Sequence, residues 1–181
     1  MIRTLLVSTA LVAFTAFPGI AGNIVDPVVE PAPVMPAYEP ETDWSGFYAG
    51  VNGVYGVVLP PNVDYYGGGV HAGYLHDMGD FVVGGEVNYE YIVPSAGPPQ
   101  AHRIGADVIA GYDAGMVLPH VTAGVSGLST GGPFTLGVSA GAGLSIMASD
   151  NVILTGRYRY TYYNAPGWNA HAGKLMVSFK F

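Results

Sequence analysis

The chain has 181 residues, 27 of them Gly and none Cys, with half its residues hydrophobic, only 10% charged and a formal net charge of -7. The acidic balance leaves no basic stripe to neutralise phosphates, so nucleic acid is excluded as a partner, and the missing cysteines exclude a disulfide framework and any thiolate metal centre. No internal apolar run is long enough to cross a bilayer as a helix.

Arg3 followed by the apolar run Leu5 to Phe17 and the small residues of Gly19-Ile20-Ala21 has the order of a secretory signal, so residues 1–21 are expected to be cleaved on export. Residues 22–43 carry Pro27, Pro31, Pro33, Pro36 and Pro40 with acids between them. They read as an extended periplasmic linker without a core of its own.

From Trp44 onward the period is two. Strands are predicted at 45–57, 66–75, 81–92, 103–112, 117–126, 134–146, 152–162 and 171–181, each about the length of a tilted membrane strand. The connections 58–65, 93–102, 127–133 and 163–170 are long, and 76–80, 113–116 and 147–151 are short. That alternation is the asymmetry of an outer-membrane barrel.

The strand charges decide between this and a soluble sandwich. Glu86, Glu90, Asp107, Arg157, Arg159 and Lys174 all take the parity opposite to the apolar residues, while Asp64, Asp77, Asp80, Asp113 and Asp150 fall in connections. A soluble sheet would carry far more charge on its wet face. Here that face is mostly Gly, Ser and Thr, so the apolar side is expected to meet lipid and the six charges to form a network plugging the lumen. By the same parity Val87→Arg should be costly and Asn88→Arg better tolerated. Outward aromatics divide by depth: Phe47, Tyr74, Tyr112, Phe179 and Phe181 toward the periplasmic ends, and Tyr55, Tyr89, Tyr91, Phe134, Tyr160 and Tyr162 toward the opposite ends, as two interfacial girdles.

The segment DWSGFYAGVNGVYG, residues 43–56, resembles the opening strand of the porin-like, OmpA-type eight-stranded outer-membrane β-barrel proteins of Gram-negative bacteria. ILTGRYRYTYY resembles their penultimate strand, with Gly156 where Glu is usual. KLMVSFKF resembles the closing strand, in which the family's terminal aromatic, here Phe181, is the signal read by the barrel-assembly machinery. The resemblance spans 44–181 and implies an all-β, eight-stranded antiparallel up-and-down transmembrane barrel in the outer membrane.

Catalytic readings are weaker. Residues 127–131 and 137–141 match G-x-S-x-G, but neither precedes a helix as a nucleophile elbow must. The turn 76–80 reads as a polar hairpin rather than a metal site, and His71 and His120 as lumen-facing hydrogen-bonding groups. Gly67 to Gly69 precede a strand, not the helix a phosphate cradle needs. His102 and His171 with Ser95 are the one candidate set for a lipid-modifying enzyme at the loop end. No cofactor and no metal are implied. The expected function is non-enzymatic: envelope integrity plus contact with outer-membrane lipid, lipopolysaccharide and host or envelope proteins through the four longer loops. The alternative is a small porin-like channel for ions or small solutes.

Overall fold

The computed structural model describes residues 42–60, 62–96, 99–164 and 167–181. The export segment 1–21 and the linker, apart from its last two residues, lie outside them. Eight strands, β1 (Gly46–Leu59), β2 (Val63–Asp77), β3 (Phe81–Pro94), β4 (Ala101–Tyr112), β5 (Val117–Ser129), β6 (Thr135–Ser149), β7 (Val152–Tyr163) and β8 (Trp168–Lys180), follow one another around a ring. Every neighbouring pair is antiparallel, and β8 returns to β1, closing the barrel. Closure leaves no open edge, the condition for a sheet to stand in hydrocarbon.

The number and order of strands agree with the sequence; their lengths do not. Strands run further into the expected loops, because pairing continues at Val58 with Val63, Tyr65 with Pro94, Leu128 with Thr135 and Tyr163 with Trp168. In lipid an unpaired peptide group is costly, so a ladder extends until the chain must turn, whatever the local Gly and Pro content suggests. What remains at the loop end is 60–62, 95–100, 130–134 and 164–167, against 78–80, 113–116 and 150–151 at the turn end. The expected length asymmetry is therefore much weaker than the sequence suggests. Asp64 and Asp77, read as connection residues, lie inside β2.

The burial pattern is inverted relative to a soluble protein. Val87 and Leu175 on the outer wall are 60% and 76% exposed, while Glu90 and Arg103 are 0% and 1% exposed inside. Eight strands enclose a space that side chains can fill, and here they fill it in three storeys. At the turn end Trp44, Tyr48, Leu75, Val82, Ile109, Leu118, Met147 and Ile153 form an apolar floor. Charged and amide groups occupy the middle, and Val54, Tyr65, Ile92, Ala101 and Ala172 pack at the loop end. Glycines on the inner face make room for this filling. A Cβ at Gly73 would stand 2.6 Å from the Tyr48 phenol oxygen, and one at Gly56 would stand 2.6 Å from that of Tyr65.

Candidate functional site: the lumen network and the outer wall

Alternation puts Glu86, Asn88 and Glu90 of β3 on the inner face, with Arg103 and Asp107 of β4 beside them. Arg157 and Arg159 of β7 and Lys174 of β8 enter from the facing wall, three or four strands around the ring. The Arg157 guanidinium donates to both carboxylate oxygens of Glu86, Nη1 to Oε1 at 2.7 Å and Nη2 to Oε2 at 3.4 Å. Tyr48 also donates to Glu86 Oε2, at 2.9 Å. Arg159 donates through Nη2 to Asp107, whose carboxylate also receives Asn88 Nδ2 at 3.0 Å and Ser139 Oγ at 3.2 Å. Lys174 Nζ lies 2.5 Å from Glu90 Oε1. Three ion pairs thus cross the lumen, each with both partners buried.

All six charges inferred from parity are brought together, and a seventh joins them. Arg103 donates to Glu90 from Nε at 2.7 Å and from Nη2, and its Cζ lies 6.0 Å from the centroid of the Tyr65 ring. Glu90 therefore holds Arg103 on one oxygen and Lys174 with Asn52 on the other. The balance is three acids against four bases rather than the three against three expected from the sequence. Parity alone contained the signal: Arg103 lies an even number of residues from Asp107 on the same strand. A fork-shaped, permanently charged donor suits such a place because it can satisfy a carboxylate and stack on a ring at once.

Asn88 also departs from expectation. It accepts from Arg159 Nη1 at 3.4 Å while donating to Asp107, so an arginine there would put a cation beside a cation and remove the amide that bridges the Arg159–Asp107 pair. The inner face is thus not a tolerant face. Between floor and network a cavity of about 20 Å³, lined by Tyr48, Glu86, His120, Thr155, Arg157 and Ser178 among others, has room for roughly one water.

The two inner histidines serve this packing. His71 Nε2 and Ser178 Oγ are 2.7 Å apart, and His120 receives Arg157 Nε at 3.4 Å while its Nδ1 faces the Leu118 carbonyl. Neither G-x-S-x-G match forms an elbow. Ser129 ends β5 and donates to the Gly132 carbonyl, and Ser139 lies within β6 on Asp107. The 76–80 turn is closed by Gly79 N donating to Asp77 Oδ1, with Gly79 at φ 97°. The candidate enzymatic set does not converge: His102 lies on β4 and His171 on β8, opposite walls of the ring, and Ser95 is occupied with the Asp64 carbonyl.

Trp44 is a contributor that the sequence marked only through its family resemblance. It is completely buried, with Nε1 donating to the Gly115 carbonyl and its backbone N to Asp77 Oδ2. Lys180 Nζ donates to the Asp43 carbonyl alongside it, which ties the approach to β1 to the end of β8. In the adjacent turn, burial raises the Asp113 carboxyl above its ordinary range, and the nearby Asp77 charge acts in the same direction.

On the outer wall, Phe47, Tyr74, Tyr112 and Phe179 stand exposed toward the turn end, and Tyr55, Tyr89, Tyr91, Phe134 and Tyr162 toward the loop end, with Tyr160 half-buried beside them. Phe47 and Tyr74 pair across β1 and β2 at 4.8 Å between ring centroids. Phe81, Tyr66 and Tyr158 share this wall and were not singled out from sequence. Phe181 lies just beyond β8, exposed, with its N donating to the Phe47 carbonyl and its ring edge-on to Phe179.

No family model matches the chain. It is 31% identical over 178 residues to the 25 kDa outer-membrane immunogenic protein of Brucella abortus, covering 87% of this chain and 83% of that protein. To the 22 kDa outer membrane protein of Rhizobium leguminosarum it is 30% identical over 164 residues, covering 82% and 76%. Among solved structures it resembles neisserial surface protein A (TM-score 0.57, 20% identity, 76% of this chain and 98% of that one) and the N-terminal β-barrel domain of Pseudomonas aeruginosa OprF (0.53, 19%, 74% and 97%). Those two likenesses speak for the fold, and the Brucella and Rhizobium proteins for descent. The chain belongs to the family of these 25 kDa and 22 kDa outer-membrane proteins and is an eight-stranded β-barrel of the bacterial outer membrane.

Proposed function

We propose that the protein is a non-enzymatic structural element of the outer membrane, a closed barrel whose lumen is plugged by its own charges and whose wall and loop end meet lipopolysaccharide and other envelope or host surfaces. The observation that carries this reading is the set of cross-lumen pairs, Glu86 with Arg157, Asp107 with Arg159 and Glu90 with Lys174. Two walls joined at mid-height by buried, hydrogen-bonded ions leave a solute no wide path. The small cavity beneath them and the apolar floor around Trp44 act in the same direction.

The Brucella relatives are named as immunogenic, which supports a role in which part of the barrel faces outward. Phe181, exposed at the end of the closing strand, is free to be read by the assembly machinery. The reading is tested by single-molecule conductance in planar bilayers. Wild-type protein should show at most rare, small openings, and Arg157→Ala should raise open probability by removing a bar from the lumen. A steady conductance in the wild type, unchanged by that substitution, would replace this reading with the porin-like channel.

A further inference from the structure

The polar wall residues near the loop end are arranged twice. On β3 and β4 the Tyr89 hydroxyl and His102 Nδ1 are 2.7 Å apart, and Tyr91 meets the same imidazole edge-on at 5.4 Å between centroids. On β7 and β8 the Tyr158 hydroxyl and His171 Nδ1 are 2.6 Å apart, and Tyr160 meets that imidazole edge-on at 5.2 Å. A separation of 13 residues links phenol to imidazole in both. The two clusters occupy opposite walls of the ring.

Neither cluster takes part in the lumen. Among the described residues every arginine, and Lys174, is buried inside, and Lys180 lies at the turn end against Asp43. His102 and His171 are therefore the only described basic side chains on the loop-end half of the wall. Nε2 of both rings has no hydrogen-bond partner among the described residues, and in the tautomer whose Nδ1 accepts the phenol hydrogen it carries the ring proton. In that tautomer it is a free donor for an anionic oxygen. The neighbours across the wall are Ser129 for His102 and Val57 for His171, so no carboxylate stands in either adjacent position.

A donor with flanking tyrosine rings at the outer interface matches a phosphorylated sugar headgroup. Nε2 would take a phosphate oxygen, and the phenols and ring faces would take the sugar. We propose that the two Tyr-His-Tyr clusters are paired docking sites for lipid A, one molecule on each side of the barrel. The proposal rests on the reading of the wall as a lipopolysaccharide contact and is independent of whether the lumen conducts.

Native mass spectrometry of the detergent-solubilised full-length barrel with diphosphoryl lipid A counts the sites directly. The wild type should saturate at two tightly held lipids, His102→Ala and His171→Ala at one each, and the double variant at none in the same range. His76→Ala, a wall histidine at the turn end, should retain two. Lipid A stripped of both phosphates should bind about tenfold or more weakly, because a hydrogen bond to a charged group is lost at each site. Excess inorganic phosphate should not displace the lipid. Unchanged heat-modifiable gel mobility would show that the variants fold, since both imidazoles point away from the lumen. Two lipids retained by the folded double variant would overturn the proposal, as would indifference to the phosphates or displacement by phosphate alone. Conductance measured on the same samples separates this outcome from the plugged-lumen reading.

Discussion

Tyr89, Glu90 and Tyr91 are consecutive, yet they live in opposite solvents. Glu90 is wholly buried and holds Arg103, Lys174 and Asn52, whereas its two neighbours are 41% and 42% exposed on the wall. In water the hydrophobic effect would drive the tyrosines inward and the acid outward. In hydrocarbon that force is absent for the wall, and the inside is held by pairing of ions and hydrogen bonds that could be satisfied nowhere else in the bilayer. The inner face is therefore specific in its partners, and the outer face, away from its two Tyr-His-Tyr clusters, only in its polarity.

The largest effect should come from breaking the inner face at its most connected point. Glu90→Ala leaves Arg103 and Lys174 buried without their acid and should lower unfolding stability by about 3–5 kcal/mol, read from urea titration in vesicles. A loss below about 1 kcal/mol would mean that water replaces the carboxylate and that the lumen is wetter than its geometry indicates.

The outer face should yield next. Val87→Arg near the middle of the wall should cost about 2–4 kcal/mol in the same titration, because a cation meets lipid tails. Asn88→Arg, one residue along, should also be destabilising through its contact with Arg159 and the loss of its bond to Asp107, although neither residue faces lipid. If both substitutions destabilise but only Val87→Arg recovers in a thinner bilayer, the outer face is failing through lipid contact and the inner face through its lost partners.

A smaller effect sharpens the comparison within the lumen. Glu86→Gln and Arg157→Met remove opposite ends of one bidentate pair, so the double variant should cost less than the sum of the singles by about 0.5–3 kcal/mol. The equivalent cycle on two wall residues, Val51→Ala and Leu175→Ala, should be additive, since lipid fills either gap.

The smallest effect lies at the turn end, outside the bilayer. Because burial raises the Asp113 carboxyl, the folded state holds that proton more tightly than the unfolded chain. The associated stability is present below the unfolded value and is lost as pH rises through the folded one. Asp113→Asn keeps an oxygen for the Gly115 N–H, which Asp113 Oδ1 accepts at 2.7 Å, and discards the charge. It should be neutral or slightly stabilising at neutral pH and lose that advantage in acid, below the ordinary aspartate range, as followed by thermal unfolding under the two conditions.

Much of the architecture is legible in the sequence, and for a simple reason. A residue's parity along a strand determines which face it takes, and in this chain the two faces differ so sharply in chemistry that eight strands, an apolar exterior and an ionic interior follow from alternation alone. Strand ends are less legible, because Gly and Pro mark where a chain can turn and not where a membrane ladder must stop; hence the shorter loops, and Asp64 and Asp77 within β2.

Parity names a face but not a partner. Which acid meets which base depends on how the ring closes and how far each strand is displaced along its neighbour, so the joining of Glu86 to Arg157, and of Glu90 to both Arg103 and Lys174, was decided only by the tertiary structure. The same holds for Trp44, which precedes β1 and whose partners, the Gly115 carbonyl and Asp77, are brought to it only when the floor of the barrel forms. It holds too for His102 and His171, whose tyrosine partners lie 13 residues away along the chain and become neighbours only when the strands pair in register.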